Sequence, residues 1–599
     1  MRRSRMTRPD PQKNTPKILR PLSLQITLPR CLILSAAALI LFGGSFLFSF
    51  LQTEDVSPRD THLPHNVEGR RGMVVAAHPL AAEAGVDMLQ QGGNAVDAAL
   101  AAVFTLNVVE PFASGLGGGG FMVIHLAEKQ KTTVINFRER APKAAFPEMF
   151  LEDGEPSRRL QTAHGLSVGV PGAPAGWDYA LRAYGTKTLK DIVKKAIHYA
   201  KEGFPVSSTF SRINKDEYEK ILLNSGEDSI YLNDGFPYEP GDTFQNPELA
   251  ETLRILSKGG MKEFYTGPIA EKIVAAVHEH DGLLTLSDLA AYKAREESPL
   301  LGQYKDMTIA TIQPPGAGGL HVIQILNMLE TQDINKWGPA SAEYIHFFSE
   351  ALRFVFADRA RWMGDPQFTV VPVRSLIGKK HAADVAGRIQ PDRILDSYPS
   401  ADFPETEHEK TSTTHLCVVD RWGNVVSLTQ SIESFFGSGI VPRGTGFLLN
   451  NQLGDFTDSL HSPNAPGPNK QPVSSMGPMI IFQDQAPVLV LGSPGGTRIF
   501  STLAQILINV FEFGMNMDEA IESPRFFSYS VDGKPRPLTY ESRFPEDVLD
   551  RLKKLGHTLE KRSPFDRYFG GAQGILIRPD KKLLIGGADS RRDGQGQGY

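Results

Sequence analysis

One stretch decides the fold of this chain: Thr413-Thr414-His415-Leu416-Cys417-Val418-Val419-Asp420. Its β-branched and apolar residues predict a strand, and the segment from Val425 to Ser431, after a polar turn containing Gly423-Asn424, predicts the antiparallel partner. The segment Tyr398 to Ser412 before it is rich in proline and acidic residues, which predicts disorder. A threonine therefore stands at the boundary between a disordered segment and a buried strand.

Such a threonine can become a nucleophile if the preceding peptide bond is cut. Within a chain no base is guaranteed beside the Thr413 hydroxyl, but a newly exposed α-amine, with a reference pKa of about 8, supplies one. The β-branch restricts χ1 and so presets the direction of the hydroxyl. The alternative is that Thr413 only begins a strand, as β-branched residues often do. The pattern alone leaves both open, and Thr411, Ser412 and Thr414 also carry hydroxyls.

Composition narrows the class of protein. The 599 residues are 41% hydrophobic and 22% charged, which is typical of globular proteins. The two cysteines, Cys31 and Cys417, predict no disulfide framework. Beyond residue 31 the chain has 55 basic and 67 acidic residues, and this negative balance disfavours nucleic-acid binding.

Neither a metal nor a dinucleotide is expected as a cofactor. The histidines and cysteines show no zinc-ligand spacing. Residues 115–120 formally satisfy the G-x-G-x-x-G pattern, but Pro111 precedes them and the strand-like Phe121-Met122-Val123-Ile124 follows. A dinucleotide site requires a strand before the glycines and a helix after them, so the motif is not interpreted as one.

The N-terminus predicts a membrane anchor. Residues 32–51 lack charges and are long enough to span a bilayer as a helix, and the basic residues of 1–31 place that tail in the cytoplasm. Residues 52–71 form a polar tether, so the catalytic body is expected outside the cytoplasm, in the periplasm or the extracellular space. A cleaved signal peptide is the alternative, but its apolar core is usually about 7–15 residues long, and no Ala-x-Ala site follows.

The remaining patterns predict an α+β fold. Apolar residues at helical spacing indicate helices over 81–91, 96–109, 341–362 and 497–513. Paired strands are predicted at 121–124 with 133–137, 479–482 with 487–491, and 575–577 with 583–585. Strand pairs with helices elsewhere favour two layers of sheet covered by helices.

Ordered motifs extend the interpretation over most of the chain. They are Gly92-Gly93-Asn94-Ala95-Val96-Asp97-Ala98-Ala99, Gly117-Gly118-Gly119-Gly120-Phe121-Met122, Phe137-Arg138-Glu139, Leu448-Leu449-Asn450-Asn451-Gln452, Ser474-Ser475-Met476, Gly492-Ser493-Pro494-Gly495-Gly496, Asp589-Ser590-Arg591 and Gly598-Tyr599. With the Thr413 segment, they resemble γ-glutamyltranspeptidases, a family of N-terminal-nucleophile hydrolases, from about Gly69 to the end. The resemblance implies a four-layer αββα sandwich.

The resemblance also implies how the chain matures. Two subunits, 72–412 and 413–599, arise by autocatalytic cleavage between Ser412 and Thr413, because the family has its nucleophile two residues before the histidine that His415 matches. The Thr413 hydroxyl attacks the preceding carbonyl, and the resulting ester is hydrolysed.

Further site roles follow from the resemblance. Gly495 and Gly496 lie where a predicted strand changes to a helix, and their amides match an oxyanion hole; on the pattern alone the Pro-Gly pair is also an ordinary turn. Ser431 stands where a threonine often positions the amine of the nucleophile. Arg138 matches the residue that binds the α-carboxylate of the donor, since its planar guanidinium donates two parallel hydrogen bonds.

The rest of the donor site follows the same comparison. Ser474 and Ser475 assist on the α-carboxylate, and Gln452 and Asp455 hold the α-amino group. Glu433 stands where many members have asparagine, which puts a strict γ-glutamyl preference in question. The segment between Asp455 and Ser474 is short, and this predicts an open cleft for bulky or polymeric donors.

The sequence is therefore compatible with three functions. The first is a γ-glutamyltransferase or hydrolase that cleaves γ-glutamyl amides such as glutathione and transfers the acyl group to water, an amino acid or a peptide. The second is an acylase of the same family acting on glutaryl or β-lactam side chains or on poly-γ-glutamate. The third is an inactive, membrane-anchored binding protein.

Overall fold

The computed structural model describes residues 66–399 and 412–599, and two seven-stranded sheets form the centre of this part of the chain. Their strands in chain order are β1 Val67–Gly69, β2 Met73–Ala76, β3 Gly119–Leu126, β4 Lys131–Phe137, β5 Arg295–Glu297, β6 Leu300–Tyr304, β7 Met307–Thr311, β8 Thr414–Val419, β9 Val425–Ser431, β10 Met479–Gln483, β11 Ala486–Gly492, β12 Gln573–Arg578, β13 Leu583–Ala588 and β14 Gln595–Gly598.

Every pairing within the two sheets is antiparallel. The first sheet has the order β14-β2-β8-β9-β3-β4-β5, and the second has the order β1-β13-β12-β11-β10-β7-β6. Strand β8, which Thr413 immediately precedes, lies between β2 and β9. Strands from both sides of the Ser412–Thr413 bond are therefore interleaved in one sheet.

Helices cover the outer faces of the two sheets. Those before β5 are α1 Pro79–Gln90, α2 Ala95–Val109, α3 Arg158–Thr162, α4 Ala173–Tyr184, α5 Leu189–Ile192, α6 Lys194–Glu202, α7 Ser208–Asp216, α8 Tyr218–Ser225, α9 Pro247–Gly259, α10 Lys262–Thr266, α11 Pro268–Glu279 and α12 Leu286–Ala291. Those after β7 are α13 Gly318–Leu329, α14 Ala342–Trp362, α15 Val373–Leu376, α16 Lys379–Ala386, α17 Ile499–Phe511, α18 Met517–Glu522 and α19 Glu546–Lys554.

The buried apolar residues divide into layers that match this order. One cluster joins the first sheet to the helices before β5, and another joins the second sheet to the helices after β7. A third lies between the sheets and includes Val75, Val123 and Cys417 from one sheet and Ile480 and Val490 from the other. Two sheets packed face to face and covered by helices confirm the predicted αββα sandwich.

The predicted hairpins and long helices are confirmed to within a few residues. The predicted helix over 497–513 is shorter, because a 3₁₀ turn at Gly496–Arg498 precedes α17. The prediction that the tether extends to residue 71 is wrong, because residues 67–69 form β1 and pair with β13. Val67 packs against the layer between the sheets, so the folded body includes this strand.

The predicted tail 1–31, anchor 32–51 and residues 52–65 of the tether lie outside the described residues, as do residues 400–411 before the proposed cleavage site. Across 66–399 and 412–599, every helix is too short or too polar to cross a membrane.

Candidate active site

The β8–β9 hairpin brings Ser431 to Thr413. Its register pairs Thr414 with Gln430. Thr413, which precedes β8, and Ser431, the last residue of β9, therefore meet at the open end of the hairpin. There the Thr413 hydroxyl donates a hydrogen bond to Ser431 Oγ over 3.0 Å. The same Ser431 Oγ accepts the Glu433 N–H at 2.8 Å, which orients it. Thr413 is buried, and its hydroxyl is directed by a second hydroxyl 18 residues away.

The backbone at Thr413 is in an unfavourable conformation. Its φ is +90°, a region that β-branched residues rarely occupy because the side chain crowds the backbone. Ser412 is fixed on the other side of the bond, since both its N–H and its hydroxyl donate to the Glu433 carbonyl at 2.8 Å. The Ser412–Thr413 bond is thus held between two anchored residues, one of which is strained.

Two further side chains hold the segment after the bond. Arg592 Nη1 donates to the Thr413 carbonyl oxygen over 2.7 Å, and the Thr414 hydroxyl donates to Glu110 Oε2 over 2.5 Å. Burial raises the pKa of Glu110 to about 7, although the Arg592 charge and the Thr414 hydrogen bond oppose the shift. Neither Arg592 nor Glu110 was predicted from the sequence as a site residue. The only signal for Arg592 was its position beside the Asp589-Ser590-Arg591 motif, and Glu110 carried none.

Arg138 and Asp455, expected at opposite ends of the donor, form an ion pair. Arg138 Nη2 lies 2.5 Å from Asp455 Oδ2, and it also donates to the Val473 carbonyl at 3.2 Å. Gln452 Nε2 donates to the same Asp455 oxygen at 2.6 Å. The Arg138 side chain is fully buried, whereas that of Asp455 is 28% exposed. The structure therefore brings these three predicted residues together.

Ser474 and Ser475 continue directly from the carbonyl that Arg138 contacts. Ser474 is held by backbone hydrogen bonds, its N–H to Pro315 and its carbonyl to Ala317. Both serines are buried. They follow Val473, whose carbonyl accepts a hydrogen bond from Arg138, and their role at the carboxylate of a donor stays a prediction.

Glu433 is a buried carboxylate close to the same cluster. Its backbone has a φ of +81°, which turns the chain sharply after β9. Burial and, next, the negative charge of Asp455 raise the pKa of Glu433 to about 8, while the Lys220 charge opposes them. Its Oε2 is buried without a hydrogen-bond partner. Such an atom is a ready acceptor for a donor group brought by a ligand.

The carboxyl group of Glu139 is also buried and lies behind Arg138. Glu139 Oε2 lies 3.6 Å from Arg138 Nη1, and both side chains are inaccessible to solvent. Burial raises the pKa of Glu139 to about 8 despite the Arg138 charge. Glu139 belongs to the Phe137-Arg138-Glu139 motif, which by itself indicated no role for it; in the structure it is the neighbour of the arginine.

Gly495 and Gly496 occupy a turn at the Thr413 end of the sandwich. They follow β11 and have φ values of +131° and +56°, which glycine adopts without strain. Three residues earlier, Gly492 packs so tightly against the His415 ring that an added Cβ would lie 2.2 Å from it. His415 is two residues from Thr413, so the segment around Gly492 reaches the Thr413 segment through this contact. The link between the glycines and Thr413 is thus indirect.

Side chains that can bind metal ions occur throughout the part of the chain that the structure describes. No cluster of three or more histidine, cysteine, aspartate or glutamate side chains there is arranged to hold a metal ion.

Comparison with known proteins places this geometry in a family. Residues 81–599 match the model of the family described as Gamma-glutamyltranspeptidase. The chain belongs to that family. As a γ-glutamyltranspeptidase family member, it is 39% identical over 540 residues to a glutathione hydrolase proenzyme of Escherichia coli (strain K12), covering 88% of this chain and 91% of that protein.

Acylases of the same family are also similar. The acylase ACY 1 proenzyme of Pseudomonas sp. (strain SE83) is 35% identical over 533 residues, with 88% of this chain and 93% of that protein covered. Among solved structures, the cephalosporin acylase from Bacillus halodurans superposes with a TM-score of 0.80 at 28% identity, covering 89% of this chain and 97% of that one. The family therefore includes relatives named for two different substrates.

Proposed function

We propose that this protein is an autoprocessed γ-glutamyltransferase and glutathione hydrolase with Thr413 as its nucleophile. The observation that carries the proposal is the Thr413 hydroxyl, buried, hydrogen-bonded to Ser431 and joined to a strained backbone. The similarity of this chain to glutathione hydrolase proenzymes supports both the activity and the maturation from a precursor.

Maturation begins at the Ser412–Thr413 bond. The Thr413 Oγ attacks the Ser412 carbonyl carbon, its proton passes to the departing Thr413 nitrogen, and the amide becomes an ester. Water then cleaves the ester, which leaves a carboxyl group on Ser412 and a free α-amine on Thr413. The products are a chain ending at Ser412, whose folded subunit spans 72–412, and a catalytic subunit, 413–599. The interleaved β2, β8 and β9 keep them together.

The mature site then transfers an acyl group. The Thr413 α-amine takes the hydroxyl proton while Oγ attacks the γ-carbonyl of the donor, and the Gly495 and Gly496 amides stabilise the oxyanion. Collapse of the intermediate expels the amine, which receives that proton. Water or an amine of an amino acid or peptide then attacks the acyl-enzyme and regenerates Thr413.

Donor recognition uses the Arg138–Asp455 ion pair. An α-amino acid group carries one carboxylate and one ammonium, so it can replace the pair by binding between them. Arg138, with Ser474 and Ser475, takes the carboxylate, while Asp455, Gln452 and Glu433 take the ammonium, since a buried cation needs paired charges. The partial exposure of Asp455 gives the ammonium a route of entry.

The location of the enzyme follows from its N-terminal sequence. We propose that residues 32–51 anchor the protein, with residues 1–31 in the cytoplasm and the catalytic body in the periplasm or extracellular space. The support is the uncharged run and its basic flank.

An acylase acting on other acyl amides is the second candidate, and the similarity to acylase ACY 1 favours it. The two candidates differ at the ammonium site. A glutaryl group lacks the α-amine. When its carboxylate occupies Arg138, it therefore leaves Asp455 without a positive partner and Glu433 Oε2 without a hydrogen-bond donor. These two acceptors favour the γ-glutamyl donor.

Intact-mass measurement with turnover assays tests the proposal. Wild-type protein is expected as two fragments that hydrolyse γ-glutamyl-p-nitroanilide faster than glutaryl-p-nitroanilide. Thr413→Ala is expected as one inactive chain, whereas Thr413→Ser, which keeps a hydroxyl, should still cleave itself. Cleavage of Thr413→Ala into the same two fragments would exclude Thr413, and a preference for the glutaryl amide would support the acylase.

A further inference from the structure

A buried ion pair joins the chain before the cleavage site to the residue proposed as nucleophile. Glu110 follows the last residue of α2, and Arg592 lies between β13 and β14. Arg592 Nη1 is 3.6 Å from Glu110 Oε1 and 2.7 Å from the Thr413 carbonyl oxygen. The two side chains are 4% and 2% exposed, so solvent does not compete for these contacts.

The same pair holds the next residue. Thr414 donates its hydroxyl to the other Glu110 oxygen, so one carboxylate faces Arg592 and the Thr414 side chain at once. Arg592 thus holds the Thr413 carbonyl, and Glu110 holds the Thr414 side chain. Together they fix the backbone on the C-terminal side of Thr413. Ser412 is fixed on the other side by the Glu433 carbonyl. The left-handed φ of Thr413 is thus maintained from both directions.

On this basis, and on the proposed role of Thr413, we propose that Glu110 and Arg592 are positioning residues that hold Thr413 in the conformation needed for self-cleavage and for acyl transfer. Neither touches the reacting atoms. Arg592 sets the plane of the Thr413 carbonyl, and Glu110 keeps Arg592 in place. Because that plane determines where the Thr413 hydroxyl and nitrogen lie, loss of the pair misdirects both.

The proposal predicts a specific kinetic pattern. Displacement of a reacting group by about 1 Å can slow a reaction by about 10²-fold. Arg592→Met removes the bond to the Thr413 carbonyl, and a loss of that order is expected in both the self-cleavage rate and kcat. KM for γ-glutamyl-p-nitroanilide should stay unchanged, because the donor contacts at Arg138 and Asp455 are intact. Arg592→Lys retains one donor and should recover part of both rates.

Glu110→Gln tests the other half of the pair. The amide still accepts the Thr414 hydrogen bond but no longer attracts Arg592, so both rates should fall less than in Arg592→Met. The double variant should be no slower than Arg592→Met alone, because Glu110 acts through Arg592.

Asp420→Asn is the matched control. Asp420 is also a buried carboxylate and also links α2 to β8, but at the opposite end, where Oδ2 accepts the Ala95 N–H at 2.9 Å. Its substitution should lower the melting temperature without changing the self-cleavage rate or kcat. A merely structural role for Glu110 predicts the same behaviour for Glu110→Gln.

The experiment measures self-cleavage by intact mass over time in freshly purified protein and kcat and KM on the cleaved fraction. Wild-type cleavage and kcat in Glu110→Gln and Arg592→Lys, while Thr413→Ala stays inert, would overturn the positioning role and leave the proposed function standing. An active, cleaved Thr413→Ala would instead overturn the function. Glu110→Gln and Arg592→Lys nearly keep the size of the original side chains, so they still test the proposal if Arg592→Met does not fold.

Discussion

Arg138 Nη2 and Asp455 Oδ2 lie 2.5 Å apart, although the residues are separated by 317 positions in the sequence. In the proposed donor site, these two side chains therefore pair with each other. Glu139 lies beside the arginine, and Gln452 donates a hydrogen bond to the aspartate. We expect a zwitterionic ligand to replace the pair most readily, because it supplies a partner both for the buried Arg138 and for the partly exposed Asp455.

Replacement of Asp455 should reduce selectivity for the α-amine. Asp455→Asn removes a charge-assisted hydrogen bond worth about 1.5–3 kcal/mol, so kcat/KM for γ-glutamyl-p-nitroanilide should fall about 10–100-fold. Glutaryl-p-nitroanilide has no amine and should lose much less. Asp458→Asn is the control, since Asp458 lies on the same segment but bonds Gln161. Equal losses for both substrates in Asp455→Asn would contradict the assignment.

Removal of the Ser431 hydroxyl should slow the chemical step. Ser431→Ala deletes the acceptor of the Thr413 hydrogen bond, and a loss of about 1 kcal/mol corresponds to a fall in kcat of about 5-fold. Ser431→Thr keeps the hydroxyl and should retain most activity. Ser427→Ala serves for comparison, because Ser427 is on the same strand but bonds the Leu491 carbonyl. The measurement is kcat on the cleaved enzyme; an unaltered kcat in Ser431→Ala would exclude the role.

Glu433 should make stability depend on pH. Its pKa is about 8 in the folded chain, against about 4.3 when unfolded, so the folded state holds an extra proton between these values. The free energy of unfolding therefore falls as pH rises from about 4.5 to 8, by at most about 1.4 kcal/mol per pH unit for this one group.

The glutamine of Glu433→Gln cannot ionise. The melting temperature of this variant should therefore exceed that of the parent protein by more at pH 8 than at pH 5. Calorimetry in the Thr413→Ala background measures this on a single chain. Part of the slope should remain in the variant, because Glu139 has a similarly raised pKa. An advantage that is the same at both pH values would show that Glu433 is ionised in the folded chain.

A methyl group at position 492 should disturb the contact between the sheets. The Cβ of Gly492→Ala would lie 2.2 Å from the His415 ring, and overpacking of this kind costs about 1–3 kcal/mol. A lower melting temperature and slower self-cleavage are expected, because His415 is two residues from Thr413. Gly387→Ala, at an exposed site with more room, should leave both unchanged. Normal melting and cleavage in Gly492→Ala would contradict the packing.

Much of the fold was predictable because its signals are local. The β8–β9 hairpin follows from apolar residues on both sides of a polar turn, and its register carries Ser431 to Thr413. Strand β1 was missed because Val67–Gly69 is too short for a periodicity, and it is a strand only through its pairing with β13. The donor residues are proposed from the resemblance, which did not indicate that Arg138 and Asp455 pair with each other.

The sequence by itself determined the αββα class, the hairpins and the residue types at Thr413, Arg138 and Asp455, because these depend on periodicity and on motifs of a few residues. Only the tertiary structure decided that Arg138 pairs with Asp455 and that Glu110 and Arg592 meet at Thr413. Residues 110, 413 and 592 are far apart along the chain. They come together because β14, β2 and β8 are successive strands of one sheet and α2, which Glu110 follows, packs against β8. Such contacts depend on strand order, which no local pattern encodes.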